Sequence, residues 1–297
     1  GRSPIRMSEP KTEKSCSVRK EAFPEQDFIQ NFSPRAAHRD FRRNSVFFRP
    51  YGAMWRQALE TFDTLFVQNV ESKRLLSEIG FDNVVVAGDT RFDRVAQIAA
   101  AAQRVETIER FRGGGRLFVA GSTWGPDEEI LLPLVNANPD VKFVIAPHEM
   151  DEGRIAHLMR NAKGGAVRYT QCDAATRFDD VQVLVLDTMG MLSSVYGSAT
   201  WAYVGGGFGV GIHNTLEAAT FGLPIAFGPN YGKFKEARDM VSLGCAVSVR
   251  TAGELAAWFA PLCDDEETLR RASRTAKDYT ARNQGATGII LRSIFNS

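Results

Sequence analysis

The residues best suited to chemistry lie in loops at the ends of apolar runs. The most informative loop is Val204-Gly205-Gly206-Gly207-Phe208-Gly209-Val210-Gly211-Ile212-His213-Asn214-Thr215-Leu216-Glu217. Its glycines let the backbone approach a ligand closely and adopt positive φ. Asn214 or Thr215 can cap the helix that follows, whose free N–H groups suit a phosphate. The spacing is neither GxxxxGK(S/T) nor a first-strand GxGxxG, which excludes P-loop and dinucleotide-dehydrogenase readings. Glu217 is the only charged side chain in the 45 residues from Thr188 to Gly232. A charge in so apolar a stretch is costly to bury without a partner. The helix dipole offers one explanation for it, and acceptance of two ribose hydroxyls offers another.

Three further loops sit at the same level. Ala120-Gly121-Ser122-Thr123-Trp124-Gly125-Pro126 turns sharply into an acidic first turn, Asp127-Glu128-Glu129. It reads either as plain N-capping or as a backbone and hydroxyl cradle for a phosphate or sugar. Pro147-His148 closes a buried strand, where the histidine is either a structural hydrogen-bonder or a ligand contact. Asp187-Thr188-Met189-Gly190-Met191 ends another, with Thr188 as a possible cap and the amides beyond it as possible anion or base contacts.

The elements that must position these loops alternate regularly. Apolar runs predict strands at 116–120, 141–146, 166–169, 181–186, 201–204, 223–227 and 245–249. Helical spacing is expected at 127–136, 150–161, 190–198, 214–221, 233–242, 252–262 and 266–282, with a last helix at 285–295. Strands apolar throughout, alternating with helices, mean a parallel sheet covered on both faces. Such sheets bind ligands beyond the carboxyl ends of their strands. Upstream, Met54, Trp55, Leu59 and Phe62 mark a helix, 65–67 and 84–88 short strands, and 71–79 and 93–105 further helices. These two βα units are too few to bury both faces of a sheet and read as the end of a domain. The expected division is a non-family tail at 1–40, a partial N-terminal domain at 41–112 and a complete domain at 113–297.

Composition narrows the classes further. The 297 residues carry 36 Lys and Arg against 35 Asp and Glu, so a globally basic nucleic-acid binder is excluded. Basic residues concentrate in the first fifty positions, which read as a solvated tail or as a segment that touches an anionic membrane surface. Cys16, Cys172, Cys245 and Cys263 form no CxxC, and the four histidines form no HExxH, so no disulfide framework or metal site is expected. The uncharged run 188–216 has the length of a membrane span, but seven glycines break it and favour a buried strand and loop.

Taken in order, VAGDTRFDRV (86–95), AGSTWGPDEE (120–129), LDTMGML (186–192) and the stretch from Tyr203 to Phe234 resemble the bacterial Kdo transferases, most of all their Bacteroidetes branch. These enzymes add 3-deoxy-D-manno-oct-2-ulosonic acid (Kdo) to lipid A precursors during lipopolysaccharide synthesis. The resemblance covers about 41–297. It implies an α/β, GT-B glycosyltransferase with a complete C-terminal Rossmann-like domain, a partial N-terminal domain and a final helix that returns to it. It implies an inverting transfer from CMP-Kdo at the cytoplasmic face of the inner membrane, with peripheral membrane contact and no metal or other cofactor.

Carried over by motif, donor contacts fall on Gly121 and Ser122, on Pro147 and His148, on Met189, Gly190 and Met191, on Gly207, and on Asn214, Thr215, Leu216 and Glu217. Two positions depart from the family: many members have Arg where His148 stands and Glu where Met191 stands. The family's general base lies in the N-terminal domain and matches no residue in 1–40; Glu9, Glu21 and Glu25 sit in sequence unlike the family. The resemblance therefore implies a donor-binding half with impaired transfer. The rivals are another GT-B nucleotide-sugar enzyme, such as a UDP-sugar transferase or epimerase, and a non-catalytic nucleotide-binding remnant.

Overall fold

A computed structural model describes residues 36–295. The chain divides into two compact units, with the boundary after Val86. The smaller contains β1 (Ala36–Arg39), a 3-10 turn at Val46–Phe48, α1 (Ala53–Glu60), β2 (Thr64–Val67), α2 (Val70–Ser77) and β3 (Val84–Val86). Its three strands pair in parallel in the order β1-β2-β3. Phe41, Phe47, Leu59, Leu65, Val67, Leu76, Phe81 and Val84 form its core. Asn69 caps α2 by accepting the Ser72 N–H at 2.8 Å.

The larger unit begins with α3 (Thr90–Ala101) and α4 (Glu106–Arg112). Then follow β4 (Leu117–Thr123), α5 (Gly125–Ala137), β5 (Lys142–Pro147), α6 (Glu152–Asn161), β6 (Ala166–Arg168) and β7 (Val183–Val185). The second half runs α7 (Leu192–Tyr196), β8 (Trp201–Val204), α8 (Leu216–Ala219), β9 (Ile225–Phe227), α9 (Lys235–Leu243) and β10 (Ala246–Ser248). It closes with α10 (Ala252–Asp264), α11 (Glu266–Arg282) and α12 (Ala286–Phe295). Seven parallel strands lie in the order β10-β9-β8-β4-β5-β7-β6.

Successive side chains of a strand face opposite ways, and here both faces are apolar. Leu117, Val119, Val144, Leu184, Val204 and Phe227 pack on one side with α4, α7 and α9. Phe118, Phe143, Ile145, Val185, Trp201 and Tyr203 pack on the other with α5, α6 and α10. The expected doubly wound α/β domain is present. Because β4 is flanked by β5 and β8, the direction of winding reverses at β4. That reversal opens a crevice at the carboxyl ends of β4 and β8, where open α/β sheets bind ligands.

Several expectations need correction. Residues 36–39, assigned above to the tail, form β1; Ala36-Ala37-His38-Arg39 has no apolar alternation, and pairing with β2 makes it a strand. Residues 1–35 lie outside those described. The segment 87–112 groups with the larger unit, not with 41–86. The reason is packing: Phe92 and Val95 of α3 bury against Leu216 and Tyr279, and Ile108 and Phe111 of α4 enter the large core. The helix expected at 93–105 ends at Ala101, and α4 is a separate element. The final helix packs on α3, where the Asp93 carboxylate accepts the Gly285 and Thr287 N–H groups at 2.6 and 2.7 Å and so caps α12.

Candidate functional site

The loops after β4 and β8 meet edge to edge in the crevice. Gly205 N–H donates to the Gly121 carbonyl at 2.9 Å. A Cβ on Gly205 would lie 2.2 Å from the Ser122 carbonyl oxygen, so only glycine permits this approach. Ser122 takes φ 54°, the only positive φ of a non-glycine residue among those described, and the β4–β5 register shifts across it. Gly207 meets Gly228 backbone to backbone, 2.6 Å from where its Cβ would stand, which joins the loop after β8 to the loop after β9. Gly121 is tight for another reason: a Cβ there would meet Tyr196 Oη at 2.2 Å and Leu192 Cδ2 at 2.8 Å, which seats α7 under β4.

Buried carboxylates from the acidic first turn of α5 hold this region together. Asp127 is fully buried and accepts three hydrogen bonds: Tyr203 Oη at 2.7 Å, Trp124 N–H at 2.9 Å and Gly206 N–H at 3.0 Å. The Gly206 bond fixes a residue at φ 90° in the middle of the Gly-rich loop. Burial and the adjacent Asp127 push the Tyr203 phenol well above its usual range, so it remains a donor. Glu128 accepts the Thr123 hydroxyl at 2.9 Å and pairs with Arg154 at 2.6 Å. Of the two readings of this acidic turn, the capping one describes Asp127, which accepts the Trp124 N–H, whereas Glu128 faces the Thr123 hydroxyl and Arg154.

Glu217 stands on α8 at the other side of the crevice. Its Oε2 accepts the Ser193 hydroxyl at 2.9 Å and its Oε1 the Asn214 amide at 3.0 Å. A carboxylate offers about four lone-pair positions, so each oxygen retains room for one more donor. Asn214, rather than Thr215, supplies the cap, by accepting the Leu216 N–H at 3.1 Å. Thr215 is 1% exposed, and its hydroxyl has no hydrogen-bond partner. Such orphaned buried groups are rare; among the described residues Trp201 Nε1 is the other. The helix expected at 214–221 is the single turn α8, and that expected at 190–198 is α7. Thr188 does not cap α7, whose preceding residue is Met191.

Three aromatic rings complete the site. His148 stacks on Trp124 and on His213, with ring centroids 4.7 and 4.4 Å apart. Trp124 Nε1 donates to His213 Nε2 at 3.2 Å. Burial lowers the His213 pKa and the nearby His148 lowers it further, against a smaller opposing pull from Asp127. Sequence reasoning had placed Gly121, Ser122, Pro147, His148, Gly207, Asn214, Thr215, Leu216 and Glu217 near one another, and the ends of β4, β5 and β8 with α8 gather them. Pro147 and Leu216 are buried as packing residues. Met189, 75% exposed, and Gly190 lie on an open loop after β7, and Met191 packs partly against the core. Trp124, His213 and Ser193 were missed as site residues. Trp124 and His213 stood inside the quoted motifs, which was the one available signal.

No family model matches the chain. A search of curated proteins finds 3-deoxy-D-manno-octulosonic acid transferases. That of Bordetella pertussis is 26% identical over 252 residues, 82% of this chain and 58% of that protein. That of Rickettsia bellii is 24% identical over 236 residues, 76% of this chain and 55% of that protein. This chain is related to the Kdo transferases. It spans little more than half the length of these relatives. A solved UDP-N-acetylglucosamine 2-epimerase superposes with a TM-score of 0.56 at 13% identity, covering 84% of this chain and 62% of that one. The chain therefore has the two-sheet, Rossmann-like α/β fold seen in GT-B proteins.

Proposed function

We propose that the crevice between β4 and β8 binds the CMP moiety of CMP-Kdo, and that the protein is a glycosyltransferase that passes Kdo to a lipid A precursor. What supports this reading is the meeting of the loops after β4 and β8 at the switch point of a parallel sheet, in a chain whose curated relatives are Kdo transferases. The tip of the Gly-rich loop from Phe208 to Gly211, which is partly or fully exposed, would present backbone groups to the phosphate. Glu217, pre-oriented by Ser193 and Asn214, would accept the ribose hydroxyls. The donor already carries a good leaving group, so the work of this unit is to hold CMP and to stabilise charge that builds on its phosphate. The acceptor hydroxyl must lose its proton to a base on the opposite face. That task and contact with the cytoplasmic face of the inner membrane belong to the acceptor side of the proposed enzyme. Among the described residues, no helix is long and apolar enough to cross a membrane.

Nucleotide preference tests the reading. In isothermal titration, CMP should bind more tightly than UMP or UDP. Preference for UDP would move the protein to UDP-sugar chemistry, and binding of none of the three would refute a nucleotide site.

A further inference from the structure

Trp124, His148 and His213 each follow a different strand of the large sheet, yet their rings form one cluster. Trp124 Nε1 lies 3.2 Å from His213 Nε2, so the indole and this imidazole meet at their edges. His148 packs against both, inclined 29° to each. An indole nitrogen can only donate a hydrogen bond. His213 Nε2 must therefore carry a lone pair, and neutral His213 must hold its proton on Nδ1. Protonation at Nε2 would set one N–H against another. It would also place a cation at stacking distance from a second imidazole.

The charged surroundings do not relieve this arrangement. Asp127 favours a charged His213, but less than burial and His148 oppose it, and Tyr203, Trp124 N–H and Gly206 N–H already occupy this carboxylate. Glu128 is paired with Arg154, whose guanidinium lies 6.0 Å from the Trp124 ring centroid. Lys233, beside Gly211 of the same loop, adds positive charge and donates to the Val210 carbonyl at 2.8 Å. Burial acts in the same direction as the indole bond, against a charged His213. His148, in contrast, is exposed.

We propose that Trp124 is a positioning residue: its indole N–H locks His213 as the neutral Nδ1–H tautomer and so fixes the orientation of the imidazole on which His148 stacks. The lock stands independently of the donor-binding reading above.

The test is nitrogen-15 NMR of the imidazole rings in the whole chain, from about pH 5.5 to about pH 8, where imidazoles titrate. His38, His148, His157 and His213 are assigned by single His→Gln variants. His213 should appear as the Nδ1–H tautomer throughout and should not titrate. Trp124→Phe keeps an aromatic ring but removes the donor, and there His213 should move to the Nε2–H form or begin to titrate. His148→Gln should leave the His213 tautomer unchanged. A wild-type His213 in the Nε2–H form, or one that titrates like a free imidazole, overturns the lock even if Trp124→Phe does not fold. So does a folded Trp124→Phe with an unaltered His213 spectrum. The NMR spectra are recorded without nucleotide, so a failure of the donor-site reading in calorimetry with CMP leaves the lock to be decided by the NMR result alone.

Discussion

Replacing Asp127 with Ala should unfold the larger unit more than almost any other single change in it. The carboxylate is fully buried and accepts from Tyr203 Oη, Trp124 N–H and Gly206 N–H. Truncation leaves two of these donors buried and the third, on Trp124, half-buried. An unsatisfied buried donor costs about 1–3 kcal/mol, so the loss should total about 3–5 kcal/mol after partial relaxation and entry of water. Asp127→Asn should cost only about 1–2 kcal/mol. Its single oxygen can retain both backbone bonds, and the Tyr203 hydroxyl can rotate to accept from the amide. The assay is urea unfolding followed by tryptophan fluorescence, since three of the four tryptophans (Trp124, Trp201, Trp258) lie in the larger unit and report its transition. If Asp127→Ala costs less than about 1 kcal/mol, or no more than Asp127→Asn, the assignment of this carboxylate as organiser of the Gly-rich loop is wrong.

Three further outcomes follow from the same geometry. Arg154→Met strands the Glu128 carboxylate, 4% exposed, without its cation, and should cost about 3–5 kcal/mol in the same unfolding assay; adding Glu128→Gln should recover much of it. Gly207→Ala drives a Cβ to within 2.6 Å of the Gly228 backbone, which has no flexible side chain to yield. It should cost about 1–3 kcal/mol and abolish nucleotide binding measured by calorimetry. The His213 pKa is lowered in the folded protein by burial and then by His148, so the unfolded chain binds this proton first. Stability from this group is complete above the ordinary imidazole pKa of about 6.5 and is lost as pH falls through the lower folded value. Urea midpoints should therefore decline on acidification below about pH 6.5, and less so in His213→Gln; an identical decline in that variant would contradict the assignment.

Much of the large sheet was legible because its strands are buried on both faces and read as continuous apolar runs: Leu117–Ala120, Phe143–Ala146, Val183–Leu186 and Trp201–Val204. Strand β1 was not legible, because Ala-Ala-His-Arg has no such pattern and becomes a strand only through pairing with β2. α7 and α8 are shorter than the apolar spacing suggests: α7 spans only Leu192–Tyr196, seated against β4 at Gly121, and α8 only Leu216–Ala219. The site loops were recognisable singly. Their juxtaposition depends on strand order, which places β4 between β5 and β8 and is not written locally in the chain. For the same reason the Trp124–His148–His213 stack could not be seen beforehand: it joins residues 24 and 65 positions apart in sequence, each unremarkable by itself.

The proposal that Glu217 reads the ribose of CMP is tested most directly by a cycle of four titrations. CMP and its 2′,3′-dideoxy analogue are each titrated into wild type and Glu217→Ala. Two hydrogen bonds to a carboxylate, partly offset by desolvation, should make Glu217→Ala lose about 1–3 kcal/mol with CMP. The dideoxy analogue should bind both proteins with equal affinity, which gives a coupling energy as large as the loss itself. An equal loss with both nucleotides, or no loss with either in a folded variant, would show that Glu217 only braces Ser193 and Asn214 and that the ribose lies elsewhere.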